Sequence, residues 1–365
     1  MSQATETVPV TLQVDALRTA VDLCLQIKKW QLAGPKRPAW LRLTASGEGV
    51  SLFATDGDVE VRYTLENLAD TTPLIDVLLP ARKFASVLKT IRSECVAIDQ
   101  TDTVCIAWSQ AGGGGGRVRW YVPDGDECES RLDGAFSEPT SLTTISAERL
   151  AAAINRTVFA TDSEATRYAM GGVLFELAPQ FLLVATDGRR MAIAGVMEQA
   201  ASPTYTIVPA AVCRLVVQAI GRCGLRTETT AVVGRHGLIR FDLGQLQIQC
   251  RPMDGRFPHW RDPFPRDGFL HAAKFYAGVM LDALEPLVSL ATPECRGTWI
   301  SFDGATFKAV LSGAEPGKVT VSCPLAEPLA EPHSILLDPR YVVDFLRTLA
   351  PETIRDNARF FDSEE

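Results

Sequence analysis

The residues that could do chemistry form only a few clusters. The glycine run at 112–116 has the look of a phosphate-cradling loop. It lacks the Gly-Lys-Ser/Thr ending that would supply a lysine for the phosphates and a hydroxyl for magnesium. Placed between two apolar runs, it reads as a loose hairpin turn. Asp187 with Arg189 and Arg190 would suit acid–base work on a phosphoester. Coming straight after a strand-like run, the Asp is better explained as bonding the backbone of its own turn. His259 stands in the proline-rich stretch FPHWRDPFP, which reads as a connector. No Ser/His/Asp spacing and no GxSxG is present. The nine cysteines form no CxxC pair and the four histidines lie far apart. A metal site or disulfide framework is therefore not expected, and free thiols in a reducing compartment are. No nucleophile, base, metal site or cofactor site emerges, so an enzyme has no footing here.

The remaining chemistry is positive charge at helical spacing. Arg82 and Lys89 are seven apart, as are Arg149 and Arg156, and Arg340 and Arg347, so each pair shares a helix face. No acid occurs between Asp76 and Glu94, nor between Glu198 and Glu228, a stretch that holds Arg214 and Arg222. Lys28, Lys29, Lys36 and Arg37 follow the first apolar-periodic segment. Any one of these faces could be merely solvated. Their recurrence in phase favours one shared basic surface that attracts phosphate. The whole chain has 365 residues and a net charge of −8, which argues against indiscriminate nucleic-acid binding. Hydrophobic residues make up 46% and charged ones 22%, as in an ordinary globular protein. The first residues, MSQATETVPVTLQVD, carry neither a basic nor an apolar leader, and no apolar run reaches membrane-spanning length. A cytoplasmic protein without membrane contact is expected.

Positioning such faces calls for repeated elements, and the sequence has them. PLIDVLLPARKFASVLKTI at 73–91, TYTIVPAAVCRLVVQAI at 204–220 and SILLDPRYVVDFLRTL at 334–349 each read as strand, proline, amphipathic helix. Their prolines, Pro80, Pro209 and Pro339, are 129 and 130 residues apart. A proline costs little in a first helical turn, where its missing N–H has no partner. SLFATDGDVEVRYTLE at 51–66 matches LLVATDGRRMAIAGVM at 182–197, each a strand, an Asp-Gly turn and a strand. The third version, TFKAVLSGAEPGKVTVS at 306–322, loses that turn. Each copy opens on a helix. Val14, Leu17, Val21 and Cys24 mark the first, and Leu150, Ile154 and Val158 the second, with Ser146 placed to cap it. AAKFYAGVMLDALEPLV opens the third.

The expectation is an α+β fold of three similar domains, at 1–138, 139–266 and 267–365, with helices on one face of antiparallel sheets. Copies one and two continue after the proline-led helix into TVCIAWSQ and RVRWYVP, or LIRFDLG and QLQIQCRP. Copy three ends at IRDNARFFDSEE, so it is expected to lack its last strands.

These segments resemble the bacterial sliding clamp, the beta subunit of DNA polymerase III. The carriers are RYAMGGVLFE at 167–176, ATDGRRMAIA at 185–194, DGRFPHWRDPFP at 254–265 and LLPARKFASVLK at 78–89, in the family's order and spacing. The resemblance implies two subunits closed head-to-tail into a ring, helices lining the hole around duplex DNA, and no catalysis. It implies partners that dock short peptides: DNA polymerase, the clamp loader and repair proteins. Arg82, Arg167 and Tyr168 are the DNA-side residues it suggests, beside Lys89, Arg149, Arg156, Arg340 and Arg347 from the charge pattern. Its peptide groove would use Met170, Thr186, Gly188, Arg189, Arg190, Met191 and Pro258. Its dimer interface would set Trp120 against Leu290 of the partner subunit. Sequence-independent attraction to phosphate lets a clamp hold DNA and still slide.

Against the family, copy three is expected to lack the terminal strands and the apolar-basic tail. The chain also departs from it in Asp262 and Pro263, where an arginine and an aliphatic residue are usual, and in Ala210 and Ala211 after Pro209. A divergent clamp-fold scaffold that does not serve the replicative polymerase is the alternative.

Overall fold

The computed structural model describes residues 9–27, 39–47, 49–69, 73–101, 103–109, 113–121, 128–136, 141–162, 169–176, 181–196, 205–225, 228–264, 273–292, 295–312 and 317–349. By packing, the chain divides into two compact units, Met1–Pro258 and His259–Glu365. No helix among the described residues is long and apolar enough to cross a membrane.

The first unit runs β1 (Val10–Gln13), α1 (Val14–Cys24), β2 (Trp40–Ser46), β3 (Gly49–Thr55), β4 (Val59–Leu65), β5 (Ile75–Pro80), α2 (Ala81–Thr90), β6 (Cys95–Gln100), β7 (Thr103–Ser109) and β8 (Gly115–Tyr121). The same order then returns as β9 (Ser141–Ser146), α3 (Ala147–Val158), β10 (Gly172–Glu176), β11 (Phe181–Thr186), β12 (Met191–Val196), β13 (Tyr205–Pro209), α4 (Ala210–Arg222), β14 (Glu228–Val233), β15 (Ile239–Leu243) and β16 (Leu246–Cys250). The second unit holds α5 (Ala277–Leu290), β17 (Thr298–Asp303), β18 (Thr306–Ser312), β19 (Lys318–Pro324), β20 (His333–Leu337) and α6 (Arg340–Leu346). All strand pairs are antiparallel.

Period-two patterning decides which side each strand buries. In β2, Leu41, Leu43 and Ala45 are buried, while Trp40, Arg42 and Thr44 are half-exposed. Period 3.6 does the same for the helices: α1 buries Val14, Leu17, Val21 and Cys24 and turns Asp15, Arg18 and Asp22 outward. The two copies of the first unit share one core, running from Val10 to Cys250. They also share a sheet, because β4 pairs with β16 in an eight-stranded sheet ordered β5-β2-β3-β4-β16-β15-β14-β9. Two four-stranded sheets, β1-β6-β7-β8 and β12-β11-β10-β13, complete this unit.

Three sequence expectations need correction. Gly115 and Gly116 belong to β8 rather than to a loose turn. A Cβ on Gly116 would lie 2.3 Å from the ring of Trp108, its cross-strand partner, so the glycine makes room for the indole. Ser146 stands at the N-cap of α3 but makes no side-chain capping bond. Pro339 is out of phase with its two counterparts. The inward pairs Leu79–Leu41, Val208–Val173 and Leu337–Thr298 correspond, and the next residues are Pro80, Pro209 and Asp338. Pro80 is extended, whereas Pro339 is already helical. Asp338 takes the strand-ending place and accepts the Arg340 N–H at 3.1 Å.

The second unit has one four-stranded sheet among its described residues, ordered β19-β18-β17-β20. Two repeat positions differ between the units. Val77 and Thr206 are 1% and 3% exposed, but Ile335 at the same place is 51% exposed. Ile27 and Ala160 are 1% and 0% exposed, while Leu290 is 55% exposed.

Candidate functional site

Four helices of the first unit pack in a row, α2 on α1, α1 on α4 and α4 on α3. What they turn outward is set by their apolar stripes. Helix α2 buries Ala81, Phe84, Ala85 and Leu88, which leaves Lys83 and Lys89 exposed and Arg82 half-exposed. Helix α3 exposes Glu148, Arg149, Asn155 and Arg156, and α4 exposes Arg214, Gln218 and Arg222. Arg18 of α1 binds the end of α2, its guanidinium donating to the Leu88 carbonyl at 2.8 Å and pairing with Asp15 at 2.9 Å. Arg222 pairs with Asp22 at 3.4 Å, a link between the two copies. The expected residues Arg82 and Lys89 thus stand at one end of this row and Arg149 and Arg156 at the other. Arg167 and Tyr168 lie outside the described residues.

In the second unit the expected basic residues are ion-paired. Arg347 meets Glu285 of α5 through Nη2 at 2.9 Å and Nε at 3.2 Å. Arg340 meets Asp338 through Nε and Nη2. Burial would push the Asp338 carboxyl up, but the Arg340 hydrogen bonds and charge outweigh it and hold the carboxyl below its ordinary value.

The groove candidates converge on the β11–β12 hairpin. Asp187 Oδ1 accepts the N–H groups of Arg189 and Arg190 at 3.0 and 2.9 Å, the turn expected from the sequence. Thr186 Oγ1 donates to the Arg190 carbonyl at 2.7 Å and accepts the Gly188 N–H at 3.1 Å. Gly188 sits at φ +80°, which only glycine adopts freely. The Thr55-Asp56-Gly57 turn of copy one is built alike, with Gly57 at φ +92°. Met170 is buried, its sulfur 4.0 Å from where a Gly188 Cβ would stand. Met191 faces Thr186 across the hairpin and is half-exposed. Arg189 points to solvent, but Arg190 turns inward. It pairs with Asp187 at 3.0 Å, donates to the Phe159 carbonyl at 2.9 Å and lies over the Phe159 ring.

Pro258 ends a segment fastened by the Ala169 N–H on the Arg256 carbonyl and the Met253 N–H on the Ile207 carbonyl. Met253 escaped the sequence reading, since no spacing marks it. A Cβ on Gly172 would lie 2.7 Å from the Val208 carbonyl oxygen and 2.8 Å from the Met253 sulfur, so the close approach of both calls for glycine there. Of the proposed interface residues, Trp120 is half-buried, edge-on to Phe84 with ring centroids 6.1 Å apart. Leu290 is exposed on its own unit.

Among the described residues, no three His, Cys, Asp or Glu side chains gather where they could hold a metal ion. Burial pushes the thiols of Cys24, Cys213 and Cys250 far above their ordinary value and that of Cys128 up to about 11.

Comparison with known proteins points one way. The family described as DNA polymerase III beta subunit, central domain, matches residues 144–259. A beta sliding clamp of Pseudomonas aeruginosa is 29% identical over 242 residues, 62% of this chain and 60% of its own length. That of Synechococcus elongatus is 28% identical over 211 residues, 56% of each chain. These alignments therefore span less than two thirds of those relatives. The Vibrio cholerae clamp is 24% identical over 86% of this chain and 83% of its own. A crystal structure of the Pseudomonas aeruginosa DNA polymerase sliding clamp matches with TM-score 0.81 at 21% identity, covering 94% of this chain and 90% of that one. The Bacillus subtilis clamp matches at TM-score 0.77 and 20% identity, covering 94% and 91%. The resemblance read from the motifs thus holds in family model, curated relatives and fold.

Proposed function

We propose that this chain, a relative of the bacterial beta sliding clamps, is a non-catalytic processivity factor. Two copies close head-to-tail around duplex DNA and tether polymerase, clamp loader and repair proteins. Three domains per chain, close to 1–138, 139–266 and 267–365, make up the ring.

One observation carries the reading: the joint between copies one and two is strand β4 of one copy paired with β16, the last strand of the next. By repeat position, β19 corresponds to β4, and β8 corresponds to β16. Both β8 and β19 are outermost in their sheets. Their inward residues, Val118 and Trp120 in one and Val319 and Val321 in the other, are only half-buried, whereas Val61, Tyr63, Ile248 and Cys250 at the existing joint are buried. A second copy of the chain offers the matching strand, and using the same joint twice closes a ring of two chains. The basic helix row supplies phosphate attraction without base readout.

The half-exposed Met191, buried Met170, open Gly188 and Pro258 make an adaptable apolar site for a short peptide. A structure of a Pseudomonas aeruginosa clamp bound to griselimycin shows that a relative's surface takes a ligand. Loading the protein on nicked circular DNA and then linearising it tests the function. Retention on the circle and loss from the linear form is expected. Equal retention on both would mean simple binding, and a clamp-fold scaffold would become the better reading.

A further inference from the structure

We propose that α2, α3 and α4 of the 1–258 unit supply more of the phosphate attraction than the helices of the 259–365 unit, whose arginines Arg340 and Arg347 are neutralised by acids of that unit. The inference rests on the DNA-encircling reading and departs from threefold equivalence.

The copies differ at matching positions. Lys89 and Arg347 each stand seven residues after an arginine, Arg82 or Arg340, in the proline-led helix. Lys89 is exposed on a helix that contains no acid. Arg347 is gripped by Glu285 through two guanidinium nitrogens. Glu285 occupies the place in α5 that Asp22 occupies in α1 and Asn155 in α3. Asp22 turns to Arg222. Asn155 carries no charge, so α3 presents no carboxylate at that place.

The surrounding residues deepen the contrast. Helix α5 carries Asp282 and Glu285 and no lysine or arginine. Helix α6 adds Asp344, and Asp338 holds Arg340. Helices α2 and α4 carry Arg82, Lys83, Lys89 and Arg214 and no acid, while Arg222 is already matched by Asp22 of α1. Counterion release on DNA follows net charge brought to the phosphates, so an arginine already matched by a carboxylate contributes little. Lys83 and Arg214 thereby join the DNA-facing set, and Arg340 and Arg347 leave it.

The test is equilibrium binding of the full chain to fluorescently labelled nicked circular DNA across a salt series. The Lys89→Gln change should flatten the slope of log K against log salt by about 0.9, one phosphate contact on duplex DNA. Arg347→Gln should flatten it by less than a third of that. Glu285→Gln, which releases Arg347, should steepen it. If Arg347→Gln flattens the slope as much as Lys89→Gln, or Glu285→Gln leaves it unmoved, the asymmetry is wrong while DNA binding stands. If the unaltered protein shows no salt-dependent binding, the DNA reading itself fails and takes the inference with it. Circular dichroism of each variant separates loss of fold from loss of charge.

Discussion

Gln249 donates from Nε2 to Glu60 Oε2 across 2.6 Å, joining residues 189 positions apart at the seam between copies one and two. They are direct partners in the β4–β16 ladder. Glu60 also accepts Ser130 Oγ and the Arg131 N–H, both at 2.7 Å, from the segment that crosses the seam. Gln249 turns its amide to Asp133 as well, at 2.8 Å. With carboxylates on both sides, its N–H groups are used and its buried Oε1 is left without a partner. Both side chains are almost wholly buried.

Replacing Glu60 by Ala should therefore destabilise the protein. Three donors would lose their acceptor, Gln249 deep in the seam and Ser130 and Arg131 at its half-buried edge, and an unsatisfied buried donor costs about 1–3 kcal/mol. Partial relaxation makes a total loss of about 2–4 kcal/mol the expected result, read from the urea midpoint. A change within error would mean that water enters the seam.

Such seams explain what the sequence did and did not reveal. The repeat order was legible because alternation at Leu41, Leu43 and Ala45 and the Thr-Asp-Gly turns are local signals. The Asp187 turn was legible for the same reason. Glu60, Asp133 and Gln249 were not, because nothing local distinguishes a buried junction carboxylate from a solvated one. The pairing of Arg347 with Glu285 was not legible for a similar cause, since Glu285 lies 62 residues earlier in the chain. Met253 was missed because its role depends on glycines brought beside it only by folding.

The proposed dimer can be probed without damaging either core. Trp120→Glu is a poor probe, because Trp120 packs on the buried ring of Phe84. Val319 is half-buried on the outermost strand β19. Val319→Glu should shift the mass in light scattering from twice 39.7 kDa to 39.7 kDa, with the thermal midpoint little changed. A dimer that survives this change would rule out β19 as the closing strand.

Peptide docking should hinge on Met191. An apolar peptide of the Gln-x-x-Leu-Phe type should bind with a dissociation constant of tens of micromolar, on the order of −6 kcal/mol. The departures at Asp262 and Pro263 argue against tighter binding. Met191→Lys puts a charge at the half-exposed start of β12 and should abolish the signal in fluorescence anisotropy. Equal binding by both proteins would place the groove elsewhere.

Acid should act on the second unit through Asp338. Its folded-state carboxyl lies below the ordinary value of 3.8, against the effect of its own burial, because Arg340 holds the charged form. The stabilisation is therefore present in full above the unfolded value and disappears as pH falls through the lower, folded value. Asp338→Asn removes this linkage while keeping the side-chain shape. The variant should be less stable than the unaltered protein at pH 7, and the gap should narrow as pH falls below 3.8. Thermal midpoints of the two proteins across that range decide it. A gap independent of pH would show that the Asp338–Arg340 pair contributes through packing and not through charge.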